Sequence, residues 1–472
     1  MMTDSGDAWT PTAINEQLRK RLENHDSAKV TNLASQNCIA VNMSIGKNLT
    51  FDGDAGDNLA GLNKGSKVIL NGNAGRFVGN GANKGEVIIN GNCGDGVAHC
   101  LSGGNIVIQG NVDGDAGPSM HGGNLIITGN VSGDVGSCMD GGTIIICGDI
   151  EGAIGKMMQG GKIFAAGSLD KELDIEEKNS TPSELKAIKK TMKEHGITPT
   201  GLNFRRLSPK ITKKESPNKG DCKSISDRFV ISPAVLNKRP RTPGLDQLDL
   251  SMTIGQTANE PLNLTIPLLW EGSNAPVYAE WKINGSAPNN LDSANLCIID
   301  LTSTQIGRRL DMKKPSDLRL VIELIKEGTG NRIPIVVRIS AGDIQNDIAI
   351  ISKAGAEGVI IRADNLPIET VVSSARIYKD EVTILATCHE LDVEMAAKVI
   401  AIGASGIFLE KECRNKELND FGSKMAEIIG ILGVSGISDL EPGHLRATDQ
   451  ESAAMTGVPL AGYDSVLPMW RH

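Results

Sequence analysis

Apolar residues recur along the first third of the chain in short runs bounded by glycine. Val68-Ile69-Leu70, Val87-Ile88-Ile89, Ile106-Val107-Ile108, Leu125-Ile126-Ile127, Ile144-Ile145-Ile146 and Ile163-Phe164 follow one another at a period of 19 residues. Gly72, Gly91, Gly110, Gly129, Gly148 and Gly167 keep the same period, as do Gly85, Gly104, Gly123, Gly142 and Gly161. A fixed period near twenty means stacked copies of one unit that cannot bury its apolar face alone. No copy holds enough uninterrupted residues for a helix, and each is cut by glycines, so helical repeats are excluded and a right-handed parallel β-helix is expected. Strict alternation puts Ile106 and Ile108 on an inner face, and Asn105, Val107 and Gln109 on a mixed outer face. The polar part of that outer face, Asn105, Asn124 and Thr143 with Gln109, Thr128 and Cys147, reads either as a hydrogen-bonded ladder or as a docking face.

The pattern predicts four regions. Residues 1–35 form a helical cap, with Ile14, Leu18 and Leu22 four apart, covering a terminal rung that otherwise exposes unpaired backbone. Residues 36–169 form the β-helix. Residues 170–226 are polar and rich in Lys, Glu, Ser and Pro, and read as a solvated linker. Within it Thr181-Pro182-Ser183-Glu184 has the form of a capping box opening a short helix with Leu185, Ile188 and Met192 on one face.

From residue 227 to 472 the grammar changes to strand and helix in alternation. Apolar runs at Leu264–Leu269, Val277–Trp281, Leu296–Asp300, Pro334–Ile339, Gly358–Arg362, Val382–Ala386 and Gly406–Glu410 are separated by helical patterns at Ser316–Glu327, Ile344–Ala354, Ile368–Tyr378 and Asp392–Ile402. Such spacing means parallel βαβ units, and a TIM-type (β/α)8 barrel is expected. Chemistry in such barrels sits where strands end, which singles out Asp300, Arg338, Arg362, Asp364, Cys388, His389, Glu410 and Lys411. Arg338 with Asp300 or Asp364 reads as a substrate clamp or as a structural ion pair. Cys388 and His389 read as nucleophile and base only if the backbone turns between them, because neighbours on a strand face opposite ways.

Composition narrows the function classes. Over 472 residues, Gly is abundant at 54 and aromatics make up only 3%, as stacked aliphatic rungs require. A net charge of −9 gives no electrostatic footprint for nucleic acid or an anionic membrane. With no long apolar run and no signal-like start, a soluble cytoplasmic protein is expected. The nine cysteines include no C-x-x-C pair, so they read as reduced thiols, and no metal site is expected. His99 and His121 lie 22 apart, off the 19-residue period, and do not stack on one another.

Both halves resemble the large subunit of the glutamate synthase family. The repeat Ser102-Gly103-Gly104-Asn105-Ile106-Val107-Ile108-Gln109-Gly110-Asn111 is similar to its glycine-repeat (GXGXG) β-helix, a module also found in formylmethanofuran dehydrogenase and in N-methylglutamate synthase. Lys238–Leu248, Ile266–Gly272, Ala354–Ile361, Ile402–Ile407 and Met455–Ala461 are similar to its FMN-binding barrel, although the module order is reversed. The resemblance implies an oxidoreductase acting on CH–NH2 donors in nitrogen metabolism and glutamate biosynthesis. It implies FMN at the barrel mouth, with Arg338 near the isoalloxazine and Asp364, Cys388, His389 and Lys411 in the loops near the phosphate. The departures point the other way. Ala363–Pro367, Thr387–Glu390 and Phe408–Lys411 stand where the family has glycine-rich phosphate loops, and Cys413 alone replaces three cluster cysteines, so no iron–sulfur cluster is expected. No glutaminase segment is recognised. The expectation is therefore a glutamate-synthase-related protein with degenerate cofactor motifs, acting as or with a glutamate synthase subunit. The alternatives are a pseudoenzyme scaffold whose β-helix docks a glutamate synthase or amidotransferase-type subunit, self-association as a homo-oligomer, and a barrel that binds a different small molecule.

Overall fold

The computed structural model describes residues 9–43, 45–169, 175–198, 201–209, 229–231, 248–272, 275–282, 285–302, 315–364 and 366–461. The lysine-rich segment after residue 209 and most of Lys238–Leu248 lie outside them.

Helix α1 (Pro11–Asn24) opens with the Thr10 side chain accepting from the Ala13 amide at 3.2 Å, and buries Ile14, Leu18 and Leu22. Its Asn15 donates to the Cys38 carbonyl at 2.7 Å and accepts from the Ala40 amide at 2.9 Å, so the helix end-caps backbone that has no preceding rung. Strands β1 (Ser27–Ala34), β2 (Asn48–Asp54), β3 (Lys64–Asn71), β4 (Lys84–Ile89), β5 (Asn105–Ile108), β6 (His121–Ile127), β7 (Gly141–Ile146) and β8 (Lys162–Ala165) pair in sequence order, all parallel. Two further columns of parallel bridges advance with the same period, one through Ala55, Ala74, Cys93, Val112, Val131, Ile150 and Leu169, the other through Val97, Ala116, Val135 and Ile154.

Alternation decides what each rung buries. Ile106, Ile108, Leu125, Ile127, Ile144 and Ile146 meet in one inner cluster. The glycines ending each rung are required by close approach, not by backbone angle. A Cβ on Gly110 would sit 2.5 Å from the carbonyl oxygen of Gly91, one turn earlier, and Gly129 stands in the same relation to Gly110. One residue further on, a polar column satisfies the turns. The side-chain oxygens of Asp54, Asn73, Asn92, Asn111, Asn130 and Asp149 each accept the amide of the residue 19 later, at 2.7–2.9 Å.

The outer face differs from its expected mixed, open character. Val107, Ile126, Ile145 and Phe164 are buried beneath Ile188 and Met192 of α2 (Pro182–Glu194) and Phe204. The expected linker is thus in large part structured. β9 (Ile175–Asn179) and β10 (Arg205–Pro209) add antiparallel beyond β8, and α2 carries the predicted capping box, Thr181 with Glu184. The apolar stripe of α2 needed a partner, and the apolar outer row needed a cover.

Two short pairings follow: β11 (Phe229–Ile231) with a strand near the chain's end, and β12 (Met252–Ile254) with β13 (Leu262–Leu264). A curled parallel sheet then contains β14 (Leu268–Glu271), β15 (Tyr278–Lys282), β16 (Leu296–Asp300), β17 (Ile335–Ser340), β18 (Gly358–Arg362), β19 (Thr383–Cys388) and β20 (Gly406–Glu412), in the order β14-β20-β19-β18-β17-β16-β15. Helices α3 (Pro315–Thr329), α4 (Ile344–Ala354), α5 (Ile368–Ala375), α6 (Val393–Ile402) and α7 (Asn415–Leu432) cover its outside, and β21 (Leu445–Ala447) and α8 (Gln450–Thr456) complete the described chain. Of the eight strands expected, the described sheet contains seven, and β14, β15 and β16 follow one another with no described helix between them. The two edges nevertheless approach, since the Tyr278 hydroxyl on β15 donates to the Trp270 carbonyl on β14 at 2.8 Å.

The repeat region and the curled sheet share a core. Cys38, Val41, Leu62, Phe77 and Cys100 belong to the same buried cluster as Trp281, Leu291, Leu318 and Leu324. Asn58, fully buried, donates to the Leu320 carbonyl of α3 at 3.1 Å and accepts from Asn80 at 3.3 Å. Asn80 in turn meets His99 Nδ1 at 2.9 Å.

Candidate functional site

Inside the curled sheet, alternation stacks two layers of opposite character. The lower layer takes one apolar side chain from each strand: Leu269, Tyr278, Ile298, Val336, Ile360, Leu385 and Phe408, closed below by Met252, Ile254 and Leu264. Two residues further along each strand, the same inward direction carries Glu271, Glu280, Asp300, Arg338, Arg362, Thr387 and Glu410. The strands therefore end in a ring whose seven members are all polar, at the carboxyl end where parallel barrels hold their ligands.

Arg338 is the ring's centre. It is 6% exposed, and its guanidinium carbon stands 4.9 Å over the Phe408 ring. Its Nη1 donates to Glu280 at 2.7 Å and lies 3.7 Å from Asp300, while Nη2 lies 3.9 Å from Glu271. Among the described residues its Nε is buried without an acceptor, and the Thr387 hydroxyl is buried without a partner. Burial pushes the Glu271 carboxyl up; Arg338 opposes this, and Glu410 and Glu280 reinforce it. Burial likewise pushes the Tyr278 phenol up. On the other side, Arg362 Nε lies 3.8 Å from both Asp364 and Glu410, and His389 Nδ1 lies 3.4 Å from Glu410. With every group ionised, four carboxylates against two guanidiniums leave the ring at −2.

The residues singled out by sequence separate into two groups. Asp300, Arg338, Arg362 and Glu410 come together in the ring, with Asp364 and His389 beside it. Cys388 points the other way: it is buried against Met395 at 3.5 Å, away from His389, and burial pushes its thiol up to about 12, which disfavours the thiolate a nucleophile needs. Lys411 is exposed at the rim. Glu271, Glu280 and Thr387 were not singled out by sequence. Glu280 lies inside its strand rather than at its end, and only the shared inward parity of the seven strands brings the three together. Away from the ring, His121 Nδ1 meets Asp140 at 2.7 Å, one period later. Among the described residues there is no group of three or more His, Cys, Asp or Glu able to hold a metal, no disulfide, and no helix long and apolar enough to cross a membrane.

No family model matches the chain, and no curated protein matches it. Among solved structures, a flavocytochrome b2 variant with sulfite bound is similar over 52% of this chain and 81% of its own, at 14% identity and a TM-score of 0.34. Mandelate oxidase with benzoyl-formic acid is similar over 47% and 87%, at 12% identity and a TM-score of 0.34. Inosine 5′-monophosphate dehydrogenase from Legionella pneumophila is similar over 48% and 98%, at 10% identity and a TM-score of 0.36. At such identities and scores these are distant likenesses.

Proposed function

We propose that this chain is a glutamate-synthase-related protein of the oxidoreductase family, serving amino-acid and nitrogen metabolism. Residues 36–169 would be the glycine-repeat β-helix, supported by three columns of parallel contacts at one period, and residues 227–472 the barrel-like module. One observation carries the functional reading: the all-polar ring over an all-apolar layer, placed where such barrels receive ligands.

The ring does not fit the phosphate of FMN. A dianion needs closely approaching amides or uncommitted cations. At the ends of β18, β19 and β20 it would instead meet Asp364 and Glu410, with Arg362 already between them. Arg338, at the position implied for the isoalloxazine, is engaged by Glu280 and flanked by two further carboxylates. The site therefore favours a neutral or cationic polar group over a phosphorylated one, and what Arg338 does is to hold those carboxylates together above Phe408. Incubation with FMN followed by desalting is expected to leave a protein without flavin absorbance; retained, stoichiometric flavin defeats this reading.

A second reading is a scaffold that docks a glutamate synthase or amidotransferase-type subunit, in which the ring's charges would be consumed internally. The partner would have to engage the exposed column Asn73, Asn92, Asn111 and Asn130, because α2 covers one face of the repeats and α3 packs on another. Co-purification from native extract is expected to return such a subunit, and isolation of the chain alone at both low and high salt contradicts it.

A further inference from the structure

A cleft of about 530 Å³ opens between the repeat region and the curled sheet, remote from the ring's own residues. Its walls are Arg19 of α1, Asn42, Met43, Ile45 and Lys64 of the first rungs, Asp292, and the end of α3. Asn42 Nδ2 is committed twice, to Asp292 Oδ1 at 3.0 Å and to the Gly328 carbonyl at 2.7 Å. Those two acceptors fix the orientation of the amide and hold Asp292 at the cleft wall, with Asn42 Oδ1 buried and without a donor among the described residues.

The other walls complete a chemical description. Lys64 Nζ bonds to Asp292 Oδ2, and Arg19 Nη2 donates to the Glu327 carbonyl at 2.7 Å, so two cations stand at the cleft with further N–H groups to give. Asp292 adds a carboxylate beside them. Ile45 is 68% exposed next to the buried Met43, an apolar wall left uncovered among the described residues.

We propose that this cleft binds a free α-amino acid with an aliphatic side chain. The carboxylate would lie on Arg19 and Lys64, the ammonium would donate to Asp292, and the side chain would cover Ile45. Because the walls come from both parts of the molecule, occupancy would also stabilise their junction. This site is separate from the polar ring and does not depend on what the ring binds.

The test is calorimetric titration of the full chain with L-leucine, 4-methylpentanoate and 3-methylbutylamine, which share the side chain and differ in the charged groups. L-Leucine is expected to give saturable heat, with each analogue about tenfold weaker or worse because one charge-assisted contact is lost. Arg19→Gln and Lys64→Gln are each expected to weaken L-leucine by a similar factor, and Lys190→Gln, on the exposed face of α2, to leave it unchanged. Ile45→Ala, at an exposed position that the fold tolerates, is expected to weaken L-leucine while leaving the smaller glycine unaffected. Absence of saturable L-leucine binding, equal binding of either analogue, or indifference of L-leucine to Arg19→Gln, Lys64→Gln and Ile45→Ala together overturns the proposal.

Discussion

Leu324 on α3 is the sharpest place to test whether the repeat region and the curled sheet fold as one body. It is fully buried, and its Cδ1 lies so close to Gly61 that a Cβ there would be 2.5 Å away. Leu324→Ala removes that side chain from the shared cluster and leaves a cavity that backbone on both sides cannot close. Substitutions of this kind cost about 3 kcal/mol, the transfer of the lost methyl groups plus the unfilled volume. That is about a hundredfold in the folding equilibrium. With an m-value of about 3 kcal/mol/M it moves a urea midpoint by about 1 M. Unfolding should be followed by far-UV ellipticity, to which the helices α3 to α8 around the curled sheet contribute most, and by hydrogen-exchange protection of the rung amides Ile106–Ile108 and Leu125–Ile127, which reports the repeats. Both signals are expected to shift together to the lower midpoint. If the rung-amide midpoint stays in place while the ellipticity midpoint moves, the two parts unfold independently and the shared core does not couple them.

Gly110→Ala places a Cβ against the Gly91 carbonyl, where neither backbone can yield, and is expected to cost about 1–3 kcal/mol by thermal melting, whereas Gly342→Ala, with open space around it, is expected to cost nothing measurable. Arg338→Met removes the cation from among Glu271, Glu280 and Asp300 and is expected to cost about 3 kcal/mol at neutral pH, at the low end for a buried pair because two of the carboxylates remain partly exposed. That loss should shrink as the pH falls and the carboxylates protonate, seen as convergence of the wild-type and variant melting curves. Burial pushes the Asp292 carboxyl up, but the bonds from Lys64 and Asn42 outweigh it and hold it below the usual carboxylate range. A depressed pKa contributes stability that is present above the unfolded value of about 3.9 and lost as the pH falls through the folded one. Asp292→Asn should therefore flatten the acid limb of the stability profile while lowering the neutral plateau, and an unchanged acid limb refutes the assignment.

What could be read from the sequence followed from local periodicity. The period of 19 residues fixed the register of the rungs, because each glycine is demanded by the turn before it, and of the helices of the second half Ile344–Ala354 is as expected and α6 begins one residue after its Asp392 cap, whereas α7 and α8 were not read from the sequence. Long-range coverage was not legible. Nothing in Val107, Ile126 and Ile145 says which segment lies on them, and the apolar stripe of α2 (Leu185, Ile188 and Met192) was legible without the surface it covers. The ring was half legible for a related reason. Residues at strand ends were found by position, whereas Glu280 and Thr387 join the ring only through the pairing of seven strands. Adjacency misled at Cys388 and His389, where the pleat sends one side chain into the helical layer and the other to solvent.

The most direct measurement is the mass of whatever small molecule leaves the protein when a natively purified sample is denatured, read alongside the absorbance spectrum before denaturation. The polar ring predicts no flavin absorbance and no FMN in the supernatant; a yellow sample releasing FMN in equal amount to the chain contradicts it.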